Sequence, residues 1–290
     1  MMQYVYPNSY NFYHNGKKAI DYYNGQVTSR REKYALPYVD GEQKYQSEVE
    51  QLNENGFVVF KQAVDHNILD KILQKTNKII EEEKYLKSHD EHYAMVGDPF
   101  IHVPEVQEIA FSDQLVEFAT EYFNCIPALG TFNLRRSYVN DLPPKSTQLF
   151  HCDRNSIKFF KFFMYLNDVD SVEDGPLTLI KESNKKRPFN HSYQHRWTEE
   201  NMRAVYGDNS LVYLTAKKGD LIAANPGLFY HRGTKPTSKE RTMLTLNYVI
   251  HEELQGGQPS APSKWFKIKQ EQYDKLPDWK KPIADFLVKV

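Results

Sequence analysis

The sequence predicts a mainly β domain with flanking helices, in which antiparallel strands form a barrel or a two-sheet jelly roll. From about residue 126 onward, short segments rich in β-branched and aromatic residues alternate with turn sequences. The predicted strands are 131–139, 148–152, 159–166, 176–180, 211–214, 220–224 and 243–250. The turns between them include Pro143-Pro144, Gly175-Pro176, Gly219-Asp220 and Asn225-Pro226-Gly227. The 290 residues are enough to bury one sizeable core.

Composition argues against dedicated nucleic-acid binding and excludes a membrane-spanning protein. The 37 Lys and Arg residues are balanced by 38 Asp and Glu residues, so the net charge is −1 and no basic field exists to hold nucleic acid. No apolar run approaches the roughly 20 residues needed to span a bilayer. The first residues lack the pattern of a secretory leader, and the two cysteines, Cys125 and Cys152, are too few for a disulfide framework. We therefore expect a cytoplasmic protein with reduced thiols and with no nucleic-acid or membrane partner.

Two segments precede the predicted strands. Residues 1–45 are rich in tyrosine and show neither helical nor strand periodicity, so we interpret them as an irregular arm. Its tyrosines would cover the main domain or a partner subunit in a homo-oligomer, unless the arm is partly disordered. The main domain, 46–290, begins with a short strand at 56–60 and an amphipathic helix at about 66–86, where apolar residues recur three and four positions apart.

A polar stretch interrupts the predicted strands at about 181–210. It is rich in charge and poor in apolar residues, which favours a loop inserted between two strands. One interpretation is a lid that closes over a site, with Lys185, Lys186 and Arg187 attracting an anionic substrate group. The other interpretation is a solvated surface loop.

Three residues point to a metal site. In the strand that contains Phe150-His151-Cys152-Asp153, residues two apart share a face, so His151 and Asp153 project together. His231 follows later, in Tyr230-His231-Arg232-Gly233, and Arg241 lies ten residues beyond it. Two histidines and one carboxylate are the facial triad of non-haem Fe(II) oxygenases, which leaves coordination positions open.

The chain resembles the phytanoyl-CoA dioxygenase-like Fe(II)/2-oxoglutarate oxygenases over about residues 50–250. The segments that carry the resemblance are 56–60, 148–153, 161–169, Glu173-Asp174-Gly175-Pro176-Leu177, Lys217-Lys218-Gly219-Asp220-Leu221, 230–233 and 241–248. One departure is visible, because Ile180-Lys181-Glu182-Ser183-Asn184 stands where many members have a Pro-Gly-Ser-His turn. That turn supplies no metal ligand in the family, so the departure concerns the shape of a loop.

The resemblance implies a double-stranded β-helix, the cupin-like form of the jelly roll, with its core at about 126–250. It also implies Fe(II) on His151, Asp153 and His231, with 2-oxoglutarate and dioxygen as co-substrates. The implied reaction is hydroxylation of a small-molecule metabolite with release of succinate and CO2. Arg241 is the expected anchor of the distal carboxylate of 2-oxoglutarate, because a guanidinium binds carboxylates through a planar fork.

Strand alternation adds further candidates for the co-substrate pocket. Thr245 shares a face with Arg241, and Lys161, Phe163 and Tyr165 share a face of the strand before Val169. Lys161 could equally be a surface residue. Gln148 and Arg135 are weaker candidates.

Two other functions compete with the oxygenase. One is a non-catalytic metal- or sugar-binding jelly-roll protein. The other is a nucleic-acid demethylase of the same cofactor class, but the segment Arg241 to Asn247 lacks the second arginine of that group. The remaining histidine pairs, His89 with His92 and His191 with His195, lie in polar stretches, and we expect them at the surface.

Overall fold

The structure, a computed structural model, describes residues 16–36, 43–153, 155–186, 196–250, 254–255, 258–259 and 266–290. The α-helices are α1 (Gly16–Lys33), α2 (Gln46–Asn55), α3 (His66–Glu81), α4 (Pro99–His102), α5 (Glu105–Ala110), α6 (Asp113–Phe123), α7 (Glu199–Tyr206) and α8 (Gln270–Asp274). Short 3-10 turns lie at Ser146–Gln148, Val172–Asp174, Asp208–Ser210 and Asp278–Ala284. Arm residues 1–15 fall outside the described residues.

Seven of the eight predicted strands are present among the described residues, with boundaries shifted by a few residues, and further strands were not predicted. They are β1 (Phe57–Phe60), β2 (Leu86–His89), β3 (Tyr93–Val96), β4 (Ala128–Ser137), β5 (Phe160–Tyr165), β6 (Leu177–Ile180), β7 (Leu211–Leu214), β8 (Leu221–Ala224), β9 (His231–Gly233), β10 (Arg241–Val249), β11 (Leu254–Gln255), β12 (Gln258–Pro259), β13 (Lys267–Ile268) and β14 (Val288–Lys289).

The larger sheet has the order β1-β8-β5-β10-β4-β3-β2, and its neighbouring strands run antiparallel. Its outer face packs on the helices in a cluster that includes Leu69, Ile72, Phe118, Phe162 and Leu246. Asp65 begins helix α3 by accepting a hydrogen bond from the backbone N–H of Asn67 at 2.8 Å. Because alternate residues of a strand face opposite sides, the other face of this sheet is left for a second core and a site.

The smaller sheet has the order β7-β6-β9. The segment before β5 continues it, because Phe150 bridges Trp197 and His151 bridges His231. Phe163 and Ile222 of the larger sheet belong to the same apolar cluster as Leu177 and Leu179 of the smaller one. Two antiparallel sheets therefore enclose a common core, and the predicted jelly roll is confirmed.

Three local expectations are wrong. Helix α3 ends at Glu81, earlier than the predicted 86, because Glu83 and Tyr85 adopt left-handed backbone conformations with φ of 51° and 57° and lead into β2. The stretch 181–210 contains helix α7, which Thr198 begins by accepting a hydrogen bond from the N–H of Asn201. The segment 148–152 forms a 3-10 turn and isolated bridges in place of a regular strand.

The expectation of an irregular arm is also wrong for residues 16–33, which form helix α1. Tertiary contacts hold this helix: Tyr23 is buried, and the guanidinium of Arg30 donates to the backbone carbonyls of Ile126, Pro127 and Pro282. Its sequence shows little amphipathic pattern, because only a few of its side chains bind it to the rest of the domain. Whether the arm also contacts a partner subunit stays a prediction.

Candidate metal centre and cavity

The backbone brings the two histidines of the predicted triad together. His151 and His231 form an antiparallel bridge, in which the N–H of each donates to the carbonyl of the other at 2.9 Å. Their ring centroids are 4.3 Å apart. Asp153 follows two residues after His151, and its N–H donates to the carbonyl of Pro226 at 2.9 Å. Two long-range backbone contacts thus bring the three side chains together.

Both imidazoles are oriented by backbone carbonyls two residues earlier in the chain. Nδ1 of His151 lies 2.8 Å from the carbonyl oxygen of Leu149, and Nδ1 of His231 lies 3.4 Å from that of Phe229. A carbonyl can only accept, so this contact favours the proton on Nδ1 and leaves the lone pair on Nε2. The Nε2 atoms lie 3.4 and 3.7 Å from the two carboxylate oxygens of Asp153.

The charges of the triad suit a cation. Burial raises the pKa of Asp153, but Lys161 and the two histidines outweigh it and hold that pKa well below its usual value. Burial, helped by the neighbouring His151, lowers the pKa of His231 to about 3. The carboxylate is therefore ionised and His231 neutral near pH 7, which is the state that metal binding requires. One ligand atom from each of the three residues lies within 4.8 Å of the others, so the group could hold a metal ion.

A cavity of about 130 Å³ opens beside the triad. Arg241 lies in its wall, only 3% exposed, and donates to the carbonyl of Thr234 at 3.3 Å and to the hydroxyl of Ser137 at 3.2 Å. Its Nε finds no hydrogen-bond partner in the part of the chain that the structure describes. Among the described residues, no carboxylate lies within 4.0 Å of this guanidinium. Burial lowers the pKa of Arg241 to about 10.

The glycine after the second histidine makes room for this arginine. A Cβ on Gly233 would lie 3.2 Å from Nη2 of Arg241, which is tighter than an ordinary contact. A buried cation with an unpaired N–H and no anionic partner is costly unless a ligand completes it. The wall around Arg241 is therefore shaped and charged for an anionic group.

Most of the predicted pocket residues meet at this cavity. Its wall includes Thr245, Phe163, Lys161, Gln148 and Arg135. Lys161 is not at the protein surface, since its ammonium lies 2.6 Å from Oδ2 of Asp153. The hydroxyl of Thr245 donates to the carbonyl of Asn133 at 3.3 Å.

Tyr165 is the exception among the predicted residues, because it does not line the cavity. Its hydroxyl donates to the carbonyl of Leu214 at 3.0 Å and accepts from the N–H of Leu177 at 2.7 Å. It thereby ties β5 to the two strands β6 and β7 of the smaller sheet. This role is structural and leaves its hydroxyl no free proton for a co-substrate.

Sequence reasoning missed one edge of the cavity. His92, expected at the surface, is 4% exposed and lines the cavity together with Tyr93. Both come from the segment that enters β3, whose pairing with β4 could not be read from the sequence. Asn133 and Ser137 were also missed, although their alternation with Arg135 along β4 was a usable signal.

The described parts of the stretch 181–210, residues 181–186 and 196–210, do not line the cavity. Lys185 pairs with Glu182 at 2.9 Å in an exposed position, and neither Lys185 nor Lys186 lines the cavity. Arg187, His191 and His195 lie outside the described residues. That the stretch 181–210 closes on a bound substrate stays a prediction.

Solved structures of similar architecture are known. HygX from Streptomyces hygroscopicus, solved with nickel, 2-oxoglutarate and hygromycin B bound, matches with a TM-score of 0.55 and 15% identity over 72% of this chain and 90% of its own. The epimerase SnoN, in complex with Fe3+, alpha ketoglutarate and nogalamycin RO, matches with a TM-score of 0.56 and 15% identity over 80% of this chain and 90% of its own. The non-heme alpha ketoglutarate dependent carbocyclase SnoK from nogalamycin biosynthesis has a TM-score of 0.55 and 14% identity over 74% and 92%.

At these identities the likeness shows a shared fold. No family model matches the chain, and no curated protein shows significant sequence similarity to it. No helix within the described residues is both long and apolar enough to cross a membrane.

Proposed function

We propose that this chain is an Fe(II)/2-oxoglutarate-dependent oxygenase of the phytanoyl-CoA dioxygenase-like type, which hydroxylates a small-molecule substrate. The observation that carries the proposal is the convergence of His151, Asp153 and His231 beside a buried arginine that lacks an anionic partner. The similar architectures solved with iron, nickel and 2-oxoglutarate support the same conclusion.

The triad fits Fe(II) by its donor chemistry. Two neutral imidazoles and one carboxylate are the set that binds non-haem Fe(II) and leaves positions for other ligands. Each histidine is fixed through its other nitrogen by a backbone carbonyl, which is the usual way a protein orients a metal ligand. Lys161 holds one oxygen of Asp153 and so restrains the carboxylate to a single orientation.

The cavity fits 2-oxoglutarate by its charge. Arg241 would hold the distal carboxylate, because its unpaired Nε and buried position call for an anion. Phe163 and Leu177 supply apolar wall on either side, one from each sheet. Thr245 and Gln148 line the same space and would contact the polar parts of the co-substrate.

In this reaction the protein positions the metal, the co-substrate and the substrate. Iron, 2-oxoglutarate and dioxygen supply the oxidising chemistry, with release of succinate and CO2 and hydroxylation of a substrate carbon. The protein's own residues position these groups: His151, Asp153 and His231 hold the metal, and Arg241 orients the co-substrate. The apolar core between the sheets keeps water away from the reacting centre.

The decisive experiment is anaerobic reconstitution of the full chain with Fe(II) and 2-oxoglutarate. We expect a weak visible metal-to-ligand charge-transfer band, and 2-oxoglutarate-dependent succinate formation once oxygen is admitted. His151→Ala should abolish both signals and lower the bound iron. His92→Ala is the matched control, because His92 is equally buried at the same cavity but lies outside the triad, and it should retain iron.

The outcomes separate the competing functions. A non-catalytic metal- or sugar-binding jelly roll would bind metal without the charge-transfer band or succinate. Full iron occupancy and turnover in His151→Ala would disprove the metal assignment. If the oxygenase assignment holds, a screen of small metabolites for stimulated succinate formation would identify the substrate. Detection of a hydroxylated product would distinguish hydroxylation from another oxidation.

A further inference from the structure

A second arginine faces the same cavity as Arg241. In the register of β4 against β10, Ser137 lies opposite Arg241 and Arg135 lies opposite Met243. Arg135 and Ser137 are two residues apart on one strand, so they share a face and are separated by about 6.6 Å, two steps of roughly 3.3 Å. Arg135 therefore lies two residues along β4 from Ser137, the residue opposite the predicted co-substrate anchor Arg241.

The contacts of Arg135 hold its guanidinium in place but do not neutralise it. Nη1 donates to the hydroxyl of Thr147 at 2.8 Å, and the ring of Tyr93 lies 4.3 Å from the guanidinium carbon. Across the described ranges, no carboxylate comes within 4.0 Å of it. Burial lowers the pKa of Arg135, and the neighbouring Tyr93 and Asp90 only partly oppose this effect.

The charge balance of the cavity points in the same direction. Among the residues that the structure describes, four cationic side chains line it, namely Arg135, Lys145, Lys161 and Arg241, against one carboxylate, Asp153. Lys161 is paired with Asp153, and Lys145 pairs with Asp90 at 3.0 Å at the solvent-exposed rim. If 2-oxoglutarate binds Arg241, Arg135 is the cavity cation to which the described part of the chain supplies no anionic partner.

We propose that Arg135, with Lys145 at the rim, forms an anion subsite for a carboxylate or phosphate group of the primary substrate. The inference rests on the proposed function, which assigns Arg241 to the co-substrate. A planar guanidinium held on one side by Thr147 and stacked on Tyr93 presents its remaining N–H groups in a fixed plane, which suits bidentate recognition of such a group. The substrate class is therefore a small acid or phosphate ester.

The test uses the full chain loaded with Ni(II) and saturating 2-oxoglutarate. The metal site then holds Ni(II), Arg241 holds the co-substrate, and no turnover occurs. Butyrate, its uncharged analogue butyramide and inorganic phosphate are titrated separately by isothermal calorimetry. We expect one of the two anions to bind in the millimolar range and butyramide not to bind. Whether butyrate or phosphate is preferred distinguishes a carboxylate substrate from a phosphorylated one.

The variant Arg135→Gln should weaken that anion at least tenfold and leave 2-oxoglutarate binding unchanged. Arg136→Gln is the matched control, because Arg136 is the next residue of the same strand, faces the other way and bonds to Thr242 and Asn77. It should leave the anion affinity unchanged. Anion binding that is absent, or equal in the two variants, would overturn the subsite.

A tenfold loss of 2-oxoglutarate affinity in Arg135→Gln would also overturn it, since Arg135 would then belong to the co-substrate site. Failure of the unaltered protein to bind Ni(II) and 2-oxoglutarate is a different result. It would contradict the proposed function itself. Each series begins by titrating Ni(II) and 2-oxoglutarate, which detects such a failure before butyrate or phosphate is added.

Discussion

Two buried arginines lie in different parts of the molecule and have opposite surroundings. Arg30 of α1 is 8% exposed, and its guanidinium donates to three backbone carbonyls and pairs with Asp285 at 3.2 Å. Arg241 of β10 is 3% exposed, and within the described ranges it makes two hydrogen bonds and its Nε has no partner.

The difference shows how to distinguish a structural cation from a binding one. Hydrogen bonds and a carboxylate satisfy Arg30, so it fastens α1 to the segment before β4 and to the C-terminal 3-10 turn. The surroundings of Arg241 stop short of neutralising it, because the larger sheet positions the guanidinium and leaves space beside it. A buried charge that the protein does not complete is one that a ligand is expected to complete.

The largest expected effect is on stability. Arg30→Met removes one partner of an ion pair, takes the guanidinium donors from the carbonyls of Ile126 and Pro127, and leaves that of Pro282 with only the N–H of Asp285. We therefore expect a loss of about 3–5 kcal/mol in the free energy of unfolding. Chemical denaturation measures it. Asp285→Asn, which removes only the ion pair, is the milder variant and should cost about 1–2 kcal/mol. An unchanged stability in both would mean that α1 is not fastened through Arg30.

The second prediction concerns Arg241, where we expect a loss of ligand binding without a loss of stability. Arg241→Met should weaken 2-oxoglutarate by at least tenfold, because a lost charge-assisted pair costs about 2–5 kcal/mol in binding. Stability without ligand should be unchanged or higher, since an unpaired buried charge is removed. Titration followed by the charge-transfer band gives the affinity, and denaturation gives the stability. An affinity equal to that of the unaltered protein would assign the anchor to Lys161 or Arg135.

Lys158 tests an intermediate case, a buried cation satisfied mainly by aromatic rings. Its ammonium donates to the carbonyl of Tyr122 at 2.7 Å and lies 4.1 Å from the centroid of that ring. Burial lowers the pKa of Lys158 to about 8, against 10.5 for an ordinary lysine. Because the unfolded chain keeps its proton up to the higher pKa, the charge destabilises the fold below pH 8. This penalty disappears as the pH rises from 8 to 10.5.

We therefore expect Lys158→Met to gain stability relative to the unaltered protein by up to about 3 kcal/mol at pH 7, with the gain shrinking toward pH 10. Denaturation at pH 7, 8.5 and 10 measures the gap. The exposed Lys71, on α3, provides the control, because Lys71→Met removes the same charge from solvent. A gap that is constant with pH would contradict the predicted shift.

The sequence was most informative where a side chain's place follows from strand alternation. The shared face of Arg241 and Thr245 and the place of Phe163 both follow from a period of two. It was least informative at the edge formed by His92 and Tyr93. Their position depends on β3 pairing with β4 across more than thirty residues of chain, a contact that no local pattern encodes.

By itself, the sequence predicted the strand-rich class, because short-range periodicity reports on strands. Residue chemistry and the family resemblance predicted the three candidate metal ligands and the arginine that accompanies them. Only the tertiary structure decided that Tyr165 bonds between strands, that Lys161 holds Asp153, and that residues 16–33 form a docked helix. It also decided which buried cations are satisfied. The physical reason is that a charge's partners are set by long-range contacts, while the sequence alone specifies the charge.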